Sequence, residues 1–299
     1  MNIVVTGSLG NIGQPLVKRL VQLGHSVKVI SRSPQHQTAI ELLGATGAFG
    51  SVADLDFLTG AFSTADAVYL MIPPVNFFDP QSDVLEFYHT TATAYKEAVI
   101  KSGAKRVVHL SSMGAHLDSG AGLLGCHHIA ESILKTLPDG VALTSVRPPS
   151  FFSNLYGFIP SIKSQHALFA NYSADVVEPW AAPEDIASVI VEELTRGAAG
   201  KGFRYVVSED LSGDDLVQLI SEAIGDKELK WVQLTDEQLV ASLSQNGMPE
   251  QTVKLFLEMN AGRASGLIYN DCKEHQPVLG DTKLKDFMPD FIQAFQATH

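Results

Sequence analysis

The chain has 299 residues, 45% of them hydrophobic, with a formal net charge of −12. That length supports one large or two modest domains and a sizeable core. An acidic balance without a long Lys/Arg run argues against nucleic-acid phosphates as the main partner, and no apolar stretch reaches the ~18 residues that would suggest a membrane span.

The charge is uneven. Residues 1–40 contain no Asp or Glu but do contain Lys18, Arg19, Lys28 and Arg32, so this segment is +4 and the remainder −16. A basic segment on an acidic protein suits a polyanionic ligand. The two cysteines, Cys126 and Cys272, are far apart and form no CxxC or disulfide framework. A reducing, cytoplasmic setting is therefore expected. The first apolar run is too short for a signal peptide. No metal-ligand cluster is visible, and no metal is expected.

Ile3–Val5 reads as a buried strand, stopped at Thr6 and followed by Gly7, Gly10 and Gly13. Leu16, Val17 and Leu20 then recur at helical spacing, with Pro15 in the first turn, where its missing N–H costs little. A strand, a tight glycine turn and a helix form the dinucleotide-binding pattern. Gly7 permits the turn, Gly10 lets the backbone approach a pyrophosphate, and Gly13 lets helix and strand pack closely. Residues Gly7, Ser8, Leu9, Gly10, Asn11, Ile12 and Gly13 are thus candidate cofactor contacts.

Ser26–Ser31 alternates into a second strand that ends at Arg32, 19 residues after Gly13. At this place an acid takes the 2′-hydroxyl of NAD, whereas an arginine accommodates the 2′-phosphate of NADP. With Arg32 there, and with Ser31 and Ser33 as hydroxyl donors, NADP(H) is favoured. A helix over 38–43 leads to a short strand at Ala48 and Phe49, after which Ser51 should approach the adenine. Asp54 caps a helix to Phe62. Ala67–Ile72 is a fourth strand, and its end, with Ile72, Pro73 and Pro74, lies at the carboxyl edge where ligands sit. A long helix over 83–102 precedes a fifth strand, Arg106–Leu110, ending in Ser111 and Ser112. A helix over 126–137 carries His127 and Glu131, and Val141–Val146 is strand six. This alternation predicts an α/β Rossmann-type doubly wound parallel sheet.

Regular alternation stops at Arg147–Asn154. The stretch to Ala182 reads as irregular and aromatic, suiting either a substrate-pocket wall or ordinary core. A helix from Pro183 and a strand over 203–207 return to the sheet. The remainder reads as mostly helical, a smaller substrate-binding C-terminal domain. The expected division is 1–150 with 183–210 for cofactor, and 151–182 with 211–299 for substrate.

Several of these stretches resemble atypical short-chain dehydrogenase/reductases of the NmrA-like group. They are the Gly7–Gly10–Gly13 spacing, Leu110–Ala115, His127–Leu134 with its His-x-x-x-Glu pattern, Arg147–Pro148 through Phe152 and Asn154, and Trp180 through Asp185–Ala187. Leu234–Leu239, Asn246–Glu250 and Val68–Leu70 with Pro73–Pro74 look most like the branch holding fungal clavine-alkaloid dehydrogenases. The resemblance implies an NAD(P)-binding Rossmann fold and a small-molecule substrate. The group includes quinone, imine-type and triphenylmethane reductases, as well as redox sensors that bind NADP without turnover. Two departures stand out. Ser51 replaces an Asp that reaches adenine in many relatives. The Tyr-x-x-x-Lys pair of ordinary short-chain dehydrogenases is absent, with Leu123 and His127 at those places.

These residues imply an NADPH-dependent reductase of a quinone- or imine-like acceptor, with His127 and Ser112 as candidate catalytic residues and Ser111 and His127 near the nicotinamide. His127 could hydrogen-bond the ribose or donate a proton, or be bonded to Glu131 one turn on. The alternative is a non-catalytic NADP(H) sensor acting through a protein partner. Arg32→Asp is expected to shift cofactor preference from NADPH toward NADH. Comparing kcat/KM for the two cofactors checks this, and an unchanged ratio removes Arg32 from the role.

Overall fold

In the computed structural model, which describes residues 1–196 and 200–298, the apolar runs of the first half become strands. β1 (Asn2–Val5), β2 (Ser26–Ser31), β3 (Thr46–Phe49), β4 (Ala67–Leu70), β5 (Arg106–Leu110) and β6 (Ala142–Arg147) alternate with helices. These are α1 (Gly13–Gln22), α2 (Gln37–Leu42), α3 (Leu55–Phe62), α4 (Val84–Ser102) and α5 (Gly125–Leu134). Next come β7 (Ser150–Phe151), α6 (Ile159–Gln165), β8 (Ala167–Ala170), β9 (Glu178–Ala181), α7 (Pro183–Thr195) and β10 (Lys201–Tyr205). The seven-stranded sheet runs β10-β6-β5-β4-β1-β2-β3, and every neighbouring pair is parallel. Chain order reverses between β1 and β4. In an open parallel sheet this is where a crevice opens at the strands' carboxyl ends.

The strands are apolar on both faces because helices cover both. On one face α1 and α7 bring Leu16, Leu20, Ile186 and Ile190 onto Ile3, Val5 and Val108. On the other, α3, α4 and α5 bring Leu58, Phe62, Tyr95 and Leu134 onto Val4, Val68 and Val107. Odd and even residues of β1 thus feed different cores, as the strand period of two requires. Each fully buried Leu or Phe contributes about 2 kcal/mol. The helix starts are set locally. Asp54 accepts from the Phe57 N–H at 3.0 Å, and Asp83 from the Leu85 and Glu86 N–H groups at 3.0 and 3.1 Å. Among the described residues, no helix is long and apolar enough to cross a membrane.

The second layer departs from expectation. The stretch to Ala182 is not irregular, whereas the C-terminal part is mostly helical as read, with short strands added. β11 (Glu209–Leu211), α8 (Gly213–Ile224), β12 (Lys230–Gln233), α9 (Asp236–Gln245), α10 (Glu250–Ala264), α11 (Asn270–His275) and α12 (Leu284–Ala297) complete the chain. β8 pairs in parallel with β12, and β9 lies between β7 and β11. Strands this short, whose partners lie far away in sequence, leave no local periodic signal, and Pro179 inside β9 argues against a strand. The aromatic residues are mostly core. Phe152 and Trp180 are buried with Leu168, Leu216, Phe287 and Phe291 beneath α6, α8 and α12.

A buried ion pair joins β9 to α10. Arg263 Nε and Nη2 donate to the two Glu178 oxygens at 2.8 Å each, and the Tyr269 hydroxyl adds a third bond at 3.0 Å. Such pairs are matched in place rather than strongly stabilising, but leaving one partner alone is costly. Arg263→Met is therefore expected to destabilise the fold by about 3–5 kcal/mol in urea unfolding. Adding Glu178→Gln should restore part of the loss.

Candidate active site

The crevice between β1 and β4 is shaped by a crowded turn. Gly7 has φ +90°, and a Cβ there would lie 2.6 Å from Met71 Cε. Ser8 also has left-handed backbone, φ +57°, which costs about 1–2 kcal/mol for a side-chain-bearing residue. Its N–H donates to the Ile30 carbonyl at 3.1 Å, tying the turn to β2. A Cβ on Gly13 would sit 2.2 Å from the Ser8 carbonyl oxygen, so α1 starts in direct contact with the turn's backbone. Gly10 and Asn11 are exposed, Leu9 packs against the core, and Ile12 is buried. Asn11 Nδ2 donates to Ser153 Oγ at 3.0 Å. No side chain caps α1. The Gln14 N–H is taken by the Gly10 carbonyl at 3.0 Å and Pro15 has no N–H, so at the head of the helix it is the Gly13 N–H that is left for water or an anion such as a pyrophosphate.

At the end of β2, Arg32 is exposed. The Ser31 hydroxyl is buried beside Ser8 Oγ at 3.2 Å and His36 Nδ1 at 2.8 Å. Ser33 Oγ accepts from the Gln35 N–H at 3.3 Å, and Ser51 Oγ from the Ala53 N–H at 3.1 Å. After β4, Ile72 is buried, Pro73 partly buried and Pro74 exposed. The Met71 carbonyl accepts from the Tyr95 hydroxyl at 2.7 Å, and the Met71 N–H donates to Thr6 Oγ1 at 2.7 Å. The carboxyl ends of β1 and β4 are thereby held together.

The reaction edge of β5 differs from expectation. Ser111 is buried, and its hydroxyl donates to Glu131 Oε1 at 2.7 Å. Ser112 is only partly buried, and its hydroxyl is not engaged by the described residues. Glu131 does not bond His127. It takes a bidentate contact from Arg147, with Nε at 2.8 Å and Nη2 at 2.7 Å. Arg147 is 2% exposed, lies 4.0 Å from the Phe203 ring and reaches the Tyr205 hydroxyl at 3.2 Å. Burial would raise the Glu131 carboxyl, but Arg147 and Ser111 outweigh it and hold it at about 2.

His127 sits edge-on to Tyr88 at 5.1 Å between ring centroids. The residue is partly buried, but its Nδ1 is sealed from solvent without a protein partner. Burial first, and then neighbouring His109, push its pKa down to about 3. His109, 0% exposed with both ring nitrogens unpartnered by protein, is pushed down to about 4 by burial. His127 is therefore a neutral imidazole near pH 7, able to donate or accept a hydrogen bond but not to act as a cationic acid. Leu123, four residues earlier, is buried. Among the described residues there is no group of three or more side chains that could hold a metal.

Residue patterns did not reveal the parts played by Arg147, His109 and His36. The available signals were slight: a histidine inside the apolar run Val107–Leu110, and an arginine directly before Pro148–Pro149.

A model of the NmrA-like family matches residues 1–266. The chain belongs to this family. The NAD(P)H azoreductase of Xenophilus azovorans is 26% identical over 260 residues, 87% of this chain and 86% of the relative. The agroclavine dehydrogenase of Claviceps fusiformis is also 26% identical, over 87% of this chain and 86% of its own. An NADPH-dependent quinone oxidoreductase from Escherichia coli, solved with NADPH, superposes with a TM-score of 0.78 at 18% identity. That match covers 97% of this chain and 99% of the other, and shows a shared fold.

The buried histidines make this NmrA-like protein acid-sensitive. The folded state resists the proton that the unfolded chain accepts near pH ~6.5. Stability is therefore full above that pH and falls as pH drops toward 4. In urea unfolding, His109 alone should remove on the order of 2 kcal/mol between pH 7 and 4.5. His109→Phe should flatten that slope.

Proposed function

We propose that this chain is an NADPH-dependent reductase delivering hydride to a small, conjugated electrophile such as a quinone or an imine. The reading rests on the reaction edge. It takes the free Ser112 hydroxyl after β5 and the neutral His127 on α5, edge-on to Tyr88, as the groups that face the acceptor, in a chain without the Tyr-x-x-x-Lys pair. The azoreductase and the quinone oxidoreductase among its likenesses, by their names, support it.

The crowded glycine turn and the uncapped start of α1 fit a dinucleotide pyrophosphate. Arg32 fits a 2′-phosphate. When bound, the nicotinamide supplies the hydride. The protein's own groups orient the acceptor and stabilise charge. Ser112 Oγ and the His127 ring hydrogen-bond the acceptor's oxygen or nitrogen as negative charge grows there. A carbonyl whose reduction needs a strong acid is poorly served, whereas an acceptor whose reduced form is conjugated requires little proton help. In this reading residues 1–150 and 183–210 hold the cofactor, and 151–182 and 211–299 shape the substrate side.

Following the loss of nicotinamide absorbance with quinones, imines and azo dyes tests the proposal. Turnover of at least one class is expected. Ser112→Ala should lower kcat about tenfold, the worth of one good hydrogen bond to developing charge. The kcat profile should show no histidine inflection between pH ~6 and 8, because His127 is already neutral there. Tight NADPH binding without turnover across the panel would instead favour a sensor.

A further inference from the structure

Beyond β2 the chain makes one tight turn over 34–36 and brings His36 back over the glycine turn. His36 Nδ1 lies 2.8 Å from Ser31 Oγ and 3.1 Å from Ser8 Oγ, and the two hydroxyls lie 3.2 Å apart. This triangle spans the carboxyl ends of β1 and β2. Ser8 reaches it from left-handed backbone, a conformation found where a side chain is held for a purpose. With Nδ1 tied to both hydroxyls, the ring's direction is set. Nε2 lies on the opposite side of the ring, free of protein partners, on an exposed residue.

The surroundings suit an anion. Arg32 is exposed four residues earlier, and no acidic side chain occurs before Glu41. Glu41 itself accepts from Gln37 Nε2 at 2.8 Å. A phosphomonoester carries about −1.5 to −2 charge and three acceptor oxygens. One guanidinium matches two of those oxygens in a bidentate contact. The third is left for another donor.

We propose that His36 is that donor, binding the ribose 2′-phosphate beside Arg32 and so helping to set the choice of NADPH over NADH. The proposal rests on the cofactor reading above. Ser8 and Ser31 act as positioning residues that hold the ring.

Calorimetric titration of NADP+, NAD+ and 2′,5′-ADP into wild type and His36→Ala tests it. Thermal unfolding of the variant verifies its fold, which an exposed substitution should preserve. The expected result is about tenfold weaker NADP+ and 2′,5′-ADP binding, the loss of one charge-assisted hydrogen bond, with NAD+ unchanged within about twofold. Unchanged NADP+ affinity would overturn the proposal. So would equal weakening of NADP+ and NAD+, since the ring would then only shape the turn. If wild type bound NAD+ as tightly as NADP+, the cofactor reading itself would fall. A wild-type preference untouched by His36→Ala would fell only the role of His36.

Discussion

The approach of Gly13 to the Ser8 carbonyl sets the terms for the rest of the molecule. A side chain at Gly13 would overlap that oxygen, with its Cβ 2.2 Å away. Because nothing intervenes, α1 begins at the lip of the β1–β4 crevice rather than a turn further out. Its N-terminal end opens on the place where the strand order reverses. Ser8, whose carbonyl makes this contact, has left-handed backbone, and its hydroxyl meets Ser31 and His36. Cofactor cradle, helix placement and the polar corner at the end of β2 thus meet at one contact.

Charge is handled differently on the other side of the crevice. Glu131 lies on the same helix as His127, one turn away, where its carboxylate would be expected to raise the imidazole's proton affinity. Arg147 takes that carboxylate instead, through two short bonds. Burial then decides the histidines, and His127 and His109 stay neutral. Arg147 also reaches Tyr205 on β10 and, at 3.4 Å, Asp271 on α11, so the pair that silences Glu131 links the sheet to the C-terminal helices. The Glu178–Arg263 pair does similar work between β9 and α10. Both charge pairs sit where separate segments of the chain must meet in one arrangement. A buried carboxylate without its arginine has nowhere to go.

Local chemistry was enough to read β1 through β6, the glycine turn, the cap at Asp54, and Arg32 at the end of β2. Each depends on neighbours within a few residues: an apolar run, a glycine, a carboxylate three positions before an N–H. The family membership was legible for the same reason, because its motifs are short. β8, β9, β11 and β12 were not legible. Each has three or four residues, and their pairing partners are remote, so their hydrogen bonds leave no trace in the adjacent sequence. The aromatic stretch from Phe151 to Trp180 reads the same whether it lines a pocket or fills a core. Only its packing against α8 and α12 shows that Phe152 and Trp180 are core.

By itself, the sequence determined that this protein has a parallel α/β sheet with a dinucleotide turn at its start, a basic residue after its second strand, and no Tyr-x-x-x-Lys pair. Those are statements about residue type and spacing, which a chain carries wherever it folds. Tertiary structure decided which charges meet. Whether Glu131 faces His127 or Arg147, and whether Ser111 or Ser112 keeps a free hydroxyl, depend on groups 16 or more residues away in sequence brought within 3 Å, and whether His127 can hold a proton depends on its burial. Protonation responds to distance and burial, and neither is written in the order of the residues.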